Sequence, residues 1–297
     1  MMFRLLLKKQ LYEVFRSYFY DSRRNKARSK GSVIFMFVVF AILMLFMAGT
    51  FLMMSFALCA PLCAANCGWL YYCIIGSIAL IIGIFGSAFA TYSMIYVSKD
   101  NEFLLSMPIP IKAIAASRAV SVYLLGMLYS GIVLIPAYIV YFITTGEPRA
   151  IPGVISFSFV IFTVIFSLSC LLGWLIAKIG KRIKNKSIVS AILLLAVIVL
   201  YYYAYFKAQT LIATIVENSS AYGEKIRGSA YFFYMFGAMG EGDPVACAIY
   251  IAAAVVLLVL VWILLRTTFF GIAASCIWVR IRKGQIRFYI QNGCAIH

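Results

Sequence analysis

The stretch VIFMFVVFAILMLFMAGTFLMMSFAL, Val33–Leu58, decides the fold. It carries no charge and exceeds the roughly 20 apolar residues that a helix needs to cross a bilayer core. A helix satisfies its own backbone N–H and C=O groups, so the run reads as a transmembrane span. Just before it lies SRRNKARSK, residues 22–30. A dense basic run is either a nucleic-acid patch or a juxtamembrane anchor on anionic lipid, and a span beginning three residues later favours the anchor. Further out, residues 1–20 place Phe3, Leu7, Leu11, Val14, Phe15 and Tyr18 on one helical face, with Arg4, Lys8, Glu13 and Arg16 mostly away from it. Basic residues interrupt the apolar ones and no small-residue cleavage site follows, so this is no cleavable signal peptide. It reads as an amphipathic helix lying in the membrane interface; an ordinary packed helix is the plainer alternative.

The rest of the chain repeats the pattern of the first span. Hydrophobic residues are 65% of the sequence, charged ones 12%, and the mean hydropathy is +1.00. Soluble domains carry about 45–50% apolar and about 25% charged residues. The expected fold class is therefore an all-α polytopic membrane protein of about six transmembrane helices. Its domains are a cytoplasmic interfacial helix and basic segment, 1–32, a six-span region, 33–265, and a cytoplasmic tail, 266–297. The spans fall at 33–58, 70–97, 120–143, 154–177, 188–206 and 245–265. After Arg266 the stretch 267–279 is apolar but short: an extension of the sixth helix, an interfacial piece or a re-entrant piece.

Charge orients the chain. With the N-terminus inside, segments 1–32, 98–119, 178–187 and 266–297 hold nine, three, five and five Lys plus Arg, 22 of the 26. The outer segments hold only Arg149, Lys207, Lys225 and Arg227. The positive-inside rule then puts both termini in the cytoplasm at the cell membrane. It also explains the net charge of +17 without nucleic acid, because the basic residues sit against the negative leaflet.

The acids and the histidine narrow the chemistry. Glu13, Asp21, Asp100 and Glu102 fall inside, and Glu147, Glu217, Glu224, Glu241 and Asp243 outside. None lies within an apolar core, and the one histidine is His297. Proton relays and ion-coupled carriers usually need an ionisable group at membrane depth, and metalloenzymes need His and carboxylate ligands. The expectation is no enzyme, with no catalytic, cofactor-binding or metal residues. Gly180-Lys181 is the nearest look-alike to a P-loop, but it lacks the upstream glycine and the spacing.

Smaller signals have plain readings beside the sharper ones. Cys59, Cys63 and Cys67 fall in the first outer loop, where four-residue spacing matches no zinc or iron–sulfur pattern; small apolar residues near a membrane surface are the plainer reading. Gly83 with Ser87, and Gly126 with Ser130, would allow close helix packing. Pro136 would kink the third span. Asn218-Ser219-Ser220 matches a glycosylation acceptor, with nothing to show a glycosylating host. In the large outer segment 207–244, the aromatics Tyr231–Tyr234 suit an interfacial belt or the lining of a lateral gate, before a turn at Gly242-Asp243-Pro244.

Between the second and third spans, Lys99–Arg118 reads KDNEFLLSMPIPIKAIAASR. Asp100 suits a helix N-cap and Glu102 the positive end of the dipole. Phe103, Leu104, Leu105 and Met107 make one side sticky. Pro108 stops the helix and Pro110 fits the first turn of the next. A short helix with exposed apolar residues on the cytoplasmic side is a shape suited to docking a partner.

With its acids, Leu-Leu pair, prolines and following basic residue, VSKDNEFLLSMPIPIKAIAASRAVSVYLL, residues 97–125, resembles the first cytoplasmic loop of ABC-2-type exporter permeases, those of Gram-positive bacteria in particular. The resemblance takes in the N-terminal helix, the six-span layout and the outer AYFFY…GDP segment. It implies the membrane subunit of an ATP-driven exporter, working as a homodimer or with a second permease half in the lipid bilayer. ATP and Mg would sit on a separate cytoplasmic ATPase. That partner would be gripped through Asp100, Glu102, Phe103, Leu104, Leu105, Pro108 and Pro110, and through the interfacial helix bearing Phe3, Leu7, Leu11 and Phe15. Family members are often about twice as long. The tail CIWVRIRKGQIRFYIQNGCAIH, 276–297, does not read as an interdomain linker, so a natural half-transporter and an altered end both stay open. The alternative function is a membrane scaffold or sensor subunit whose loop docks a signalling protein.

Overall fold

The computed structural model describes residues 5–10, 20–21, 26–96, 111–146, 150–180 and 231–266, with single helical positions at 195, 199 and 203. Apart from a two-residue antiparallel pairing, Tyr20 with Ala27 and Asp21 with Lys26, the described residues form helices and short connections. A short helical segment covers 5–10. Then come α1 (Lys30–Ala64), α2 (Gly68–Thr91), α3 (Ile111–Thr145), α4 (Ala150–Gly180), α5 (Tyr231–Glu241) and α6 (Pro244–Arg266). Five of these, all but α5, are long and apolar enough to cross a membrane. The chain is an all-α polytopic membrane protein. The expected fifth span, 188–206, lies outside the described residues except for positions 195, 199 and 203.

α1 runs past the expected 33–58 at both ends. Ser29 caps its start, its hydroxyl accepting from the Ser32 N–H at 3.4 Å. It continues through Pro61, so Cys59 and Cys63 stand on its last turns rather than in a loop. Asn66 stops it with φ at 53°, a left-handed conformation that asparagine tolerates better than most residues. The Cys67 N–H then reaches Leu62 O at 2.8 Å and the Asn66 N–H reaches Cys63 O at 3.0 Å, which satisfies the carbonyls that a helix end leaves orphaned.

α2 is the central helix and packs against α3, α4 and α5. The most apolar stretch of α1 lies wholly on the outside: Phe35 is 68% and Leu45 75% exposed. Such a surface would drive a soluble protein to aggregate, but in a bilayer its solvent is lipid. The interior divides into two clusters. The larger joins α1–α6 around Tyr71, Tyr72, Ile75, Val133, Phe157, Ile161 and Met239. The smaller lies at the end of the bundle where α2 stops and α3 begins, around Leu6, Ile95, Ile114, Val122, Phe166 and Leu265.

Small residues let these helices meet. Ile165 of α4 seats its side chain against Gly83 of α2 and Gly126 of α3; a methyl on either would press on it. Ser87 and Ser169 face each other at 2.6 Å, fully buried between α2 and α4. In α5, Gly237 lies so close to the Trp69 carbonyl that an added Cβ would overlap it, and the ring of Tyr72 crowds Gly240 in the same way. Only glycine allows that approach, and it seats a short helix on the bundle.

Candidate functional site

Both flanks of the 97–110 loop are described, though the loop itself is not. Asp100, Glu102, Phe103, Leu104, Leu105, Pro108 and Pro110 lie outside the described residues, as do Phe3, Leu11 and Phe15. Leu7 is described: it sits half-buried in the 5–10 helix, whose buried residues are Leu6 and Gln10.

On the incoming side α2 does not end cleanly. Residues Tyr92–Tyr96 form a π-helical turn, a wider winding at the end of the helix, where the last carbonyls have no intrahelical donor. Two neighbours accommodate it. Gly173 of α4 lets backbone draw near, since a Cβ there would come within 3.2 Å of Thr91 Cγ2 and 3.5 Å of Tyr92 N. Arg118 of α3 donates from a guanidinium nitrogen to the Ile95 carbonyl at 2.9 Å.

On the outgoing side α3 begins at Ile111, directly after Pro110. In its first turns most of the sequence neighbours of Arg118 are small, namely Ala115, Ala116, Ser117, Ala119 and Ser121, with Ile114, Val120 and Val122 between them. The hydroxyls look after themselves: Ser117 donates to Ile114 O at 2.9 Å and Ser121 to Ser117 O at 3.0 Å. The small side chains leave room for the long one, and Arg118 is among the largest fully buried side chains, at 1% exposure. A buried guanidinium is costly unless hydrogen-bonded. Its bond to Ile95 thus ties the π-helical end of α2 to the third turn of α3, 23 residues apart in sequence and on either side of 97–110. In the sequence Arg118 reads as one more charge beside the membrane and as the basic residue before the third span, with no sign of burial. The signal that this reading passes over is a lone cation in a run of Ala and Ser, AIAASRAVSV.

The polar track continues into the bundle. Thr91 donates to Ser87 O at 2.7 Å, and Ser87 touches both Gly83 O and Ser169 at 2.6 Å. At the α4 terminus the Lys178 ammonium stands 5.0 Å from the centre of the Trp174 ring, a cation–π contact.

The opposite end of the bundle is lined with aromatics and thiols. Tyr71 donates to Ala137 O at 2.8 Å, next to Pro136, and Tyr138 meets Ser158 at 2.8 Å. The rings of Tyr71, Tyr72, Tyr141 and Phe157 pack with centroids 4.8–6.0 Å apart. Trp69 meets Tyr234 edge-on at 5.2 Å. The Tyr231–Tyr234 cluster is thus the first turn of α5: Tyr231, Phe232 and Phe233 are exposed, while Met235 and Gly237–Gly240 are buried. Cys59 Sγ lies 3.0 Å from Thr144 Oγ1 and 3.6 Å from Cys63 Sγ, both thiols free. In the link after α1, burial raises the Cys67 thiol pKa, and the charge of Glu241 raises it further. Among the described residues, no group of three or more His, Cys, Asp and Glu is placed to hold a metal ion.

Compared with family models, with curated proteins and with solved structures, the chain matches none.

Proposed function

We propose that this chain is the membrane-spanning permease subunit of an ATP-driven exporter. Its 99–118 segment, of which 111–118 is the start of α3, faces the cytoplasm and docks a separate ATPase subunit that binds ATP and Mg. A second permease half, or a second copy of the chain, completes the pathway. The observation that carries this reading is the Arg118–Ile95 bond, because it makes the loop a lever rather than a tether. A push on a loop with free ends would be lost in its own bending. With the ends joined, the push reaches α2 and α3 together, and α2 bears on α4 and on α5 at the opposite end. Differential contact of the ATPase with the loop in two states supplies the bias between two bundle arrangements. The apolar residues Phe103, Leu104, Leu105 and Met107 provide the grip.

The test is affinity purification from host membranes in mild detergent. The wild-type chain brings down a P-loop ATPase; a Leu104→Asp/Leu105→Asp variant, inserted to the same level, does not. An ATPase that copurifies equally with both, or with neither, sinks the proposal.

A further inference from the structure

We propose that Cys59 and Cys63 form a dithiol site for a trivalent metalloid hydroxide of the arsenite and antimonite class, with Thr144 holding the hydroxyl that remains on the metalloid. This stands apart from the export reading and does not depend on it.

The sulfurs lie 3.6 Å apart on successive turns of α1. Two bonds of about 2.3 Å, the scale of a metal–thiolate bond, meeting near the right angle of a pyramidal trivalent centre, hold sulfurs roughly 3.4 Å apart. The pair therefore needs little movement to chelate. A disulfide would need far more. Residues four apart on a helix keep Cβ atoms about 5–6 Å apart, whereas a disulfide wants about 3.5–4.5 Å. A tetrahedral metal would need further ligands, and no third Cys, His or carboxylate joins the two thiols among the described residues.

One hydroxyl meets the pair directly, in surroundings that are otherwise apolar. Thr144 Oγ1 sits 3.0 Å from Cys59 Sγ and sends its own proton to Val140 O at 2.9 Å, so it meets the thiol as an acceptor. Once Cys59 loses its proton, that lone pair is free to accept from the hydroxyl on the metalloid. Ser55, one turn back on α1, adds a buried hydroxyl. Cys59 is fully buried, but Cys63 is half-buried and Thr144 is exposed, so the site opens at their side. A neutral trihydroxide can enter without the cost of desolvating a charge.

The step balances without an oxidant. Each thiol gives its proton to one hydroxide of the metalloid, and that hydroxide leaves as water. Two sulfur–metalloid bonds form, two metalloid–oxygen bonds break, one hydroxide stays, and no oxidation state changes.

The experiment uses the full chain purified in detergent and titrated with arsenite, followed by alkylation and peptide mass spectrometry. One equivalent should protect Cys63, the accessible sulfur of the pair, while Cys73 and Cys247 react as they do without arsenite, and a small dithiol should reverse the protection. Cys63→Ser should weaken binding by about a hundredfold, the usual order for losing one arm of a chelate, while Cys73→Ser should leave it unchanged. The wild-type protection pattern does not depend on how any variant folds. Protection that spreads over other cysteines, or that spares Cys63, overturns the proposal, as does arsenite binding that a Cys59→Ser variant keeps at full strength.

Discussion

The Arg118 guanidinium of α3 donates to the Ile95 carbonyl in the π-helical turn that ends α2, at 2.9 Å. It does so with the side chain 1% exposed, where its acceptor Ile95 and its helix neighbours Ile114, Ala115, Ala119 and Val122 belong to one apolar cluster. A charge placed there holds its neighbourhood together only while its acceptor is in place. The bond therefore fixes the spacing of α2 and α3 where the loop leaves them.

Arg118→Ala should lower stability. It removes a charge-assisted hydrogen bond, leaves the Ile95 carbonyl without this donor and opens a void. The loss of the bond alone is worth about 1.5–3 kcal/mol. Thermal unfolding in detergent, followed by size exclusion after heating, would measure it. Arg118→Lys should recover only part, because an ammonium cannot reproduce the guanidinium's reach and fork. A variant as stable as wild type would show that the loop ends are held some other way.

Gly237→Ala should destabilise the seating of α5. The added methyl meets the Trp69 backbone carbonyl, which cannot rotate away as a side chain could. Overpacking of this kind costs about 1–3 kcal/mol. The control is Gly31→Ala near the start of α1, where nothing lies within 4 Å of the added carbon. There, removing a helical glycine should be neutral or mildly stabilising. Equal melting shifts for the two variants would contradict the close approach.

The buried Ser87–Ser169 pair should show a coupling of about 0.6 kcal/mol in a double-mutant cycle to alanine, the average for polar pairs between membrane helices. The two hydroxyls share few protons. Ser87 reaches Gly83 O at 2.6 Å as well as Ser169 at 2.6 Å, so when Ser87 donates to the carbonyl, Ser169 must donate to Ser87. Either single variant breaks the same link, and the second change then costs little. Additive losses would mean that the pair does not act as a unit.

The apolar spans were legible because water forbids them and lipid demands them, whatever the rest of the chain does. The runs beginning at Val33, Leu70, Val120, Val154 and Val245 all lie on helices. What hydropathy could not show was where a helix stops against its neighbours. α1 passes through Pro61 and ends at Asn66 because a left-handed residue and two backbone bonds close it there, not because its apolarity runs out. Thus Cys59 and Cys63, expected in a loop, share a helix. Arg118 was hidden for a related reason: a count of charges places a cation near a membrane face, but only packing reveals that small neighbours have let it inside. Ser87 and Ser169 belong to helices 82 residues apart in sequence, so their meeting is a property of the assembled bundle. The small-residue spacing at Gly83–Ser87 hinted at contact without naming α4 as the partner.

Cys67 offers a pH-dependent readout of the end opposite the loop. Its thiol is buried, and burial raises its pKa because the thiolate would lose water; the charge of Glu241 raises it further. Only the thiolate is alkylated, so at pH 8 Cys67 should react with iodoacetamide more slowly than an ordinary exposed thiol, and should speed up as pH rises further. Glu241→Gln removes the repelling charge and leaves the burial. The pKa should therefore fall, though not back to the ordinary value, and alkylation at pH 8 should accelerate. The sign for stability follows from the same shift. A thiol whose folded pKa is raised gives its full contribution below the ordinary thiol pKa and loses it as pH climbs through the folded value. Peptide mass spectrometry of Cys67 against pH, in the wild type and the Glu241→Gln variant, reads both effects. If the two profiles coincide, Glu241 does not act on Cys67, and the packing of α5 against the end of α1 is wrong at that point.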